Sequence, residues 1–334
     1  MKRVIWIVGL LGIEFLANAQ VRTSLPIPGT PRGDLATELL QSRAYCVGLI
    51  EGLDNVERRF PELSVDVLAA RSAWMASPFS GGCRTIESGI LSSPDGKRNL
   101  EALDKKVLDE TRKRLKLDSR EEALAFLDLV AKRSKGEIEV DLVRGNLLWQ
   151  HKPYQENPEK EYLAGFNLPA VISTESGENV RFKIPMSWKQ EEEGNPALMG
   201  FRNCYGHGNV WMTVMAQPAS DDDGNPILGA EMFANCTEPS LRTAWSSLGI
   251  ELLSFQKTKV NNMPAIIATR RQAYEQLGER ATRASEMIRV FHGDLVINFQ
   301  INTLGPEGQA LAEERIKKNS ALFKGIVASF APSE

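Results

Sequence analysis

Only three imidazoles occur in this chain of 334 residues, His151, His207 and His292, and only one of them stands close to a thiol. In Cys204-Tyr205-Gly206-His207 the residue types suit a nucleophile with its base, or half of a metal site. Gly206 and Gly208 mark the segment as a turn, and the simpler reading is a structural cysteine beside an exposed turn histidine. Glu191-Glu192-Glu193, near Trp188, supplies the carboxylates that glycoside hydrolysis uses in pairs. Three adjacent glutamates before Gly194 are more simply a charged loop. Asp221-Asp222-Asp223-Gly224-Asn225 invites a calcium reading, but an EF-hand counted from Asp221 needs Gly at position six and Glu at twelve, where Pro226 and Met232 stand. His292 precedes Gly293-Asp294 and reads as the tip of a hairpin. There is no Gly-x-Ser-x-Gly elbow, His-Glu-x-x-His pair, phosphate-binding glycine loop or dinucleotide fingerprint. No catalytic, metal or cofactor residue is therefore assigned, and no enzyme is expected.

The four cysteines acquire a meaning from the start of the chain. Met1-Lys2-Arg3, the apolar run Val4 to Ile13 and Ala17-Asn18-Ala19 form a secretory signal cleaved after Ala19. Its apolar run covers about 15 to 20 Å as a helix, too short for a ~30 Å hydrocarbon layer. Gln20 rather than Cys follows the cleavage site, which speaks against a lipoprotein. The expected location is the periplasm, with secretion as the alternative, and no integral membrane association after cleavage. In such surroundings Cys46, Cys83, Cys204 and Cys236 are read as two disulfides. Of the three connectivities, pairing within each half of the chain is favoured. Cys46–Cys83 and Cys204–Cys236 close loops of 36 and 31 intervening residues, worth roughly 3.5 to 4 kcal/mol each in a chain-entropy account.

These residues need elements to position them, and the periodicity changes half-way along the chain. Residues 20–33 carry three prolines and two glycines and read as a flexible tether. Residues 34–136 are expected to be helical. Leu39, Cys46, Leu49, Leu53, Val56 and Phe60 recur at three- and four-residue steps, ending at Pro61. A second helix from Ser64 to Met75 carries Leu68 and Trp74; Pro78 and Gly81-Gly82 then break the chain before a third helix bearing Cys83, Ile86 and Ile90. A fourth follows Leu100, Leu103, Val107 and Leu115, and a fifth starts at a Ser119–Glu122 capping box. Residues 97–135 hold twelve Lys/Arg and eight Asp/Glu, which reads as a solvated face with pairs such as Glu101–Lys105 and Asp109–Lys113 rather than a docking surface. Residues 137–167, with Trp149, His151, Tyr154, Tyr162 and Phe166, are an aromatic connector between halves.

From residue 168 to 332 the period shifts towards two. Val180–Pro185, Asn209–Met215 and Glu251–Lys259 read as strands, Gly206-His207-Gly208 and the 221–226 segment as turns, and Ser240–Ser247 and Glu307–Phe323 as helices. In such a meander Cys204 and Cys236 return to one end of the sheet. Phe182-Lys183-Ile184-Pro185 with Trp188, then Thr258 to Ala265, then Arg289-Val290-Phe291-His292-Gly293-Asp294-Leu295-Val296-Ile297-Asn298-Phe299 and a final helix into Ile326-Val327-Ala328-Ser329-Phe330 resemble the PsbP/DcrB-like family. The resemblance covers about half the chain and implies an antiparallel-sheet α/β/α sandwich with a binding or assembly role and no shared catalytic site. The expected fold class is thus α+β, a helical domain followed by that sandwich.

With 40 Lys+Arg against 43 Asp+Glu, and a charge of −4 once the signal is removed, the chain lacks the basic excess of a nucleic-acid binder. The function expected is a non-enzymatic periplasmic binding or assembly protein, immunity- or secretion-related by analogy, engaging a protein partner. Trp188, Tyr205, His207 and Trp211 are the candidate contact residues, since aromatic anchors dominate such surfaces. The alternatives are a cell-wall hydrolase using Glu191, Glu192 or His207, and a small-molecule or lipid binder.

Overall fold

Pro61 and Pro78 divide the start of the helical half, because proline closes a preceding helix and suits the first turn of the next. The computed structural model describes residues 34–92, 94–115, 117–173, 179–191, 198–219, 227–276 and 279–332. The signal segment 1–19 and tether 20–33 lie outside the described residues, as do Glu192, Glu193 and the 221–225 acidic run. The chain forms two units, one through Glu156 and one from Asn157. The stretch 137–167 is accordingly shared between them rather than standing as a separate connector.

The first unit holds α1 (Leu35–Arg59), α2 (Ser64–Ala76), α3 (Pro78–Leu91), α4 (Gly96–Arg114), α5 (Arg120–Ser134), α6 (Asp141–Gln150) and α7 (Lys152–Glu156). Asp34 caps α1, its carboxylate accepting from the Ala36 amide, and Cys46, Leu49, Leu53 and Val56 form the buried stripe. On α2 that stripe is Val67, Ala70 and Trp74; Leu68 instead faces solvent, 64% exposed. Pro78 and the two glycines do not break a helix as expected. Pro78 opens α3, and Gly81 and Gly82 are its contact points. A Cβ on Gly82 would meet the Leu147 carbonyl oxygen of α6, and one on Gly81 would meet the His151 ring. The capping box at Ser119 and Glu122 is present. On α4 and α5 the charges pair locally, Lys113 with Glu110 rather than Asp109, and Lys132 with Asp128. Arg133 is fully buried, held by the Glu139 carboxylate at 2.9 Å and lying 5.2 Å from the Tyr45 ring centroid.

The second unit begins with α8 (Glu159–Leu163). It continues through β1 (Asn167–Ser173), β2 (Asn179–Pro185), β3 (Lys189–Glu191), β4 (Leu198–Arg202) and β5 (Val210–Pro218). Then come α9 (Gly229–Asn235), α10 (Glu238–Ser246), β6 (Ile250–Val260), β7 (Met263–Gln276), β8 (Glu279–His292), β9 (Leu295–Pro306), α11 (Leu311–Ala328) and β10 (Ala331–Pro332). Seven strands form one antiparallel sheet in the order β3-β4-β5-β9-β8-β7-β6, and β1-β2-β10 form a second, smaller one. This is the α+β architecture expected, helices followed by an antiparallel sandwich. The reason is legible along β9, where Ile297, Phe299 and Ile301 alternate with Asn298, Gln300 and Asn302. The apolar set packs with the inner side of β5, with β2 and with α11, and Phe182 stands edge-on between Phe201 and Phe299 at 5.8 and 5.6 Å. The other face carries a smaller cluster in which Trp245, Leu252, Ile266, Met287 and Phe291 are covered from α9 and α10. Among the described residues no helix is long and apolar enough to cross a membrane.

The two glycines of α3 differ in a way that calorimetry or urea unfolding can read. Gly82→Ala forces a methyl against the Leu147 carbonyl and is expected to cost about 1–3 kcal/mol or more. Gly89→Ala, with open space at its Cβ, is expected to raise stability by up to ~1 kcal/mol. Equal effects would mean that the α3–α6 contact is absent.

Candidate functional site

The second face of the large sheet is built from cross-strand rows, because residues directly opposite in an antiparallel ladder point the same way. One row runs Lys189, Arg202, Trp211, Asn302, Ser285, Arg270. Four positions along, a second row runs Leu198, Met215, Asn298, Arg289, Ile266, with Thr213, Gln300 and Met287 between the two. Where α10 stops covering this face, a groove of about 390 Å³ opens, with Trp245 on one wall and Leu198 and Met215 on the other.

Its floor is cationic, and the cations are held by amides. The Arg270 guanidinium donates to Gln300 Oε1 at 2.8 Å, Arg289 Nε to Asn298 Oδ1 at 2.6 Å, and Arg283 to Asn302 Oδ1 at 2.9 Å. Asn302 Oδ1 also accepts from Ser285 Oγ and Gln300 Nε2. Arg270 lies 5.0 Å from the Trp245 ring centroid, and Arg283 and Arg202 lie 5.6 and 5.5 Å from that of Trp211. Among the described residues lining the groove there is no carboxylate. Burial, together with the neighbouring Arg283 and Arg289, pushes the Arg270 pKa down to about 10, and burial lowers Arg289. Asn298 is only 8% exposed, and its Nδ2 is a buried donor with no acceptor.

The contact residues expected from the sequence fall into two groups. Trp188 is buried in the core between the sheets and is a packing residue. Tyr205 and His207 lie in the β4–β5 connection, and Trp211 is at the start of β5. Tyr205 has a left-handed backbone, φ 49°, its amide donates to the Ser187 carbonyl, and the Lys189 ammonium lies 5.7 Å from its ring centroid. The His207 amide donates to the Cys204 carbonyl in the same turn.

The candidate chemical groups are otherwise engaged. Burial and the nearby Glu161 push the Cys204 thiol up to about 12, so it stays protonated at neutral pH. Glu191 is ion-paired with Arg202. His151 is half-buried, and its pKa is lowered by burial and by Arg84.

All four cysteines are free thiols. Cys46 and Cys83 do face each other within hydrogen-bonding reach, as their two helices were expected to arrange, without a covalent bond; burial pushes the Cys46 thiol up. The expected Cys204–Cys236 pairing is corrected. Cys204 sits beside Glu161 and Lys318, towards α11, whereas Cys236 joins the cluster on the opposite face beside Arg289 and Lys257. The chain after β5 crosses the second face as α9 instead of returning to the end of β4.

Two sets of residues escaped the sequence reading. Arg283, Met287 and Arg289 lie two and four apart on one strand, and a period-two count through 283–291 would have placed them on one face. Glu161 carried no local signal: its carboxylate accepts from the Ser187 amide at 2.8 Å and the Ser187 hydroxyl at 2.6 Å, residues 26 positions away.

No protein-family model and no curated protein matches the chain. Among solved structures it is similar to the cyanobacterial PsbP (CyanoP) of Synechocystis, at 13% identity and a TM-score of 0.30 over 49% of this chain and 92% of that one. It is also similar to the Ran-binding protein Mog1p of Saccharomyces cerevisiae, at 11% identity and a TM-score of 0.33 over 49% and 94%. A structure from Bacteroides thetaiotaomicron matches at 12% identity and a TM-score of 0.27 over 46% of this chain, which spans 45% of that structure's length.

Burial holds the Glu161 pKa up at about 7 against an ordinary 4.5, opposed by its bonds from Ser187. Between those values the folded chain keeps a proton that the unfolded chain has lost, so stability falls as pH rises from about 4.5 to 7, by roughly 3 kcal/mol. Glu161→Gln mimics the protonated side chain and is expected to remove that slope in urea unfolding followed across the window. An unchanged slope would place the titration elsewhere.

Proposed function

We propose that the chain is an exported, non-enzymatic binding or assembly protein that engages a protein partner through the β4–β5 end of its sandwich. The reading is carried by one observation: Tyr205 and Trp211, both half-buried and each with basic side chains over its ring, lie at the β4–β5 end of the large sheet. Aromatic and arginine side chains in such clusters supply most of the binding energy at protein interfaces. The signal-like start at residues 1–19 supports export to the periplasm. There a disulfide oxidant would take two electrons and two protons from Cys46 and Cys83 as their S–S bond forms, stapling α1 to α3.

Affinity capture from periplasmic extract, with the recovered partner quantified by mass spectrometry, tests the reading. Trp211→Ala is expected to cut recovery at least tenfold while the chain stays folded. Trp188→Ala, in contrast, is expected to act through stability, costing about 3–5 kcal/mol. Recovery unaffected by Trp211→Ala and Tyr205→Ala, or hydrolytic turnover abolished by His207→Ala, would overturn it.

A further inference from the structure

The arginine groove differs from two other hollows among the described residues in how its charge is balanced. A hollow of about 730 Å³ bordered by Glu251, Arg271 and Glu313 holds a cation already met by carboxylates, Arg271 reaching Glu251 at 2.7 Å. In a hollow of about 290 Å³ beside Cys46 and Cys83, Arg43 is met by Asp104 at 2.9 Å. In the groove the acceptors for Arg270 and Arg289 are the neutral amides of Gln300 and Asn298. An amide fixes the direction of a guanidinium without cancelling its charge.

We propose that this groove binds an amphipathic anion, a single carboxylate or phosphate head group on an apolar body. The head group would sit over Arg270, Arg289 and Asn298 Nδ2, the buried donor that has no acceptor of its own. Guanidinium forks match the oxygens of both head groups, and an unmet buried donor favours an acceptor-rich ligand. The body would lie on Met215, Leu198, Met287 and Trp245, an apolar wall that a bare inorganic anion would leave wet. A volume of about 390 Å³ is within the range of small-ligand sites. Burial first, and the neighbouring Arg283 and Arg289 second, lower the Arg270 pKa; a bound anion offsets both the lost hydration and the repulsion. This site adjoins the partner contact proposed at Tyr205 and Trp211 through Arg283, but its head-group contacts, Arg270, Arg289 and Asn298, are not part of that contact, and either can fail alone.

The test is calorimetric titration of the full chain with octyl phosphate below its micelle concentration, beside inorganic phosphate and octyltrimethylammonium, with melting temperatures read in parallel. Octyl phosphate is expected to saturate one site and to bind at least tenfold more tightly than either control. Two substitutions should weaken it at least tenfold while leaving the melting temperature unchanged or higher. Arg270→Met removes one repelling charge, and Asn298→Asp supplies a built-in counter-charge beside Arg289. Co-sedimentation with phosphatidylcholine vesicles containing phosphatidylglycerol, lost in Asn298→Asp, would assign the head group to a bilayer lipid. Binding of octyl phosphate without co-sedimentation would assign it to a free amphiphile. Octyl phosphate binding no better than the ammonium, undiminished binding in Asn298→Asp, or a markedly lower melting temperature in both variants would overturn the proposal.

Discussion

The alternation of β9 is the constraint on which the sandwich depends. Asn298, Phe299, Gln300, Ile301 and Asn302 give one central strand a hydrocarbon side and an amide side, and a slip of one residue would exchange them. The hydrocarbon side fixes where α11 and the small sheet pack, with Phe299 against Phe182 and Phe330. The amide side then has to be used by polar partners from β8 and β7. Arginines answer it, because a guanidinium can donate to a side-chain amide and lie on an aromatic ring at once. The cationic groove is thus a product of the same strand that organises the core.

The helical unit solves a different problem, bringing backbones close without a sheet. Gly82 lets α3 approach the α6 backbone at Leu147, and Gly52 leaves room for the Phe126 ring. Its buried charge is handled by pairing: Arg133 has Glu139, and Arg43 has Asp104. The sandwich leaves Arg270 and Arg289 on amides. A buried charge met by a carboxylate is complete, whereas one met by an amide can still attract an anion. That contrast is why the second unit, and not the first, carries the candidate site.

Much of the architecture could be read from periodicity. The stripe from Cys46 to Val56, the Ser119 capping box, the hairpin at His292-Gly293 and the strands at 180–185 and 251–259 are local patterns, and local patterns survive folding. What could not be read depended on tertiary approach. Gly81-Gly82 looks like a helix breaker until Leu147 and His151 pack over it, and Leu68 looks like core until Val67 takes that place. A meander would return Cys204 and Cys236 to one end of the sheet, yet α9 carries the second across the other face. Trp188 resembled a surface anchor because its burial comes from strands far along the chain. The groove joins β5, β7, β8 and β9, so each arginine taken alone reads as an ordinary exposed strand residue.

The account is tested most directly by anomalous diffraction from a crystal of the full chain soaked in bromide. The central claim, that Arg270 and Arg289 present uncancelled positive charge held by amides, predicts a bromide peak between their guanidiniums and within hydrogen-bonding reach of Asn298 Nδ2. A groove empty of bromide, with a carboxylate of the chain's own bonded to both guanidiniums, would contradict it.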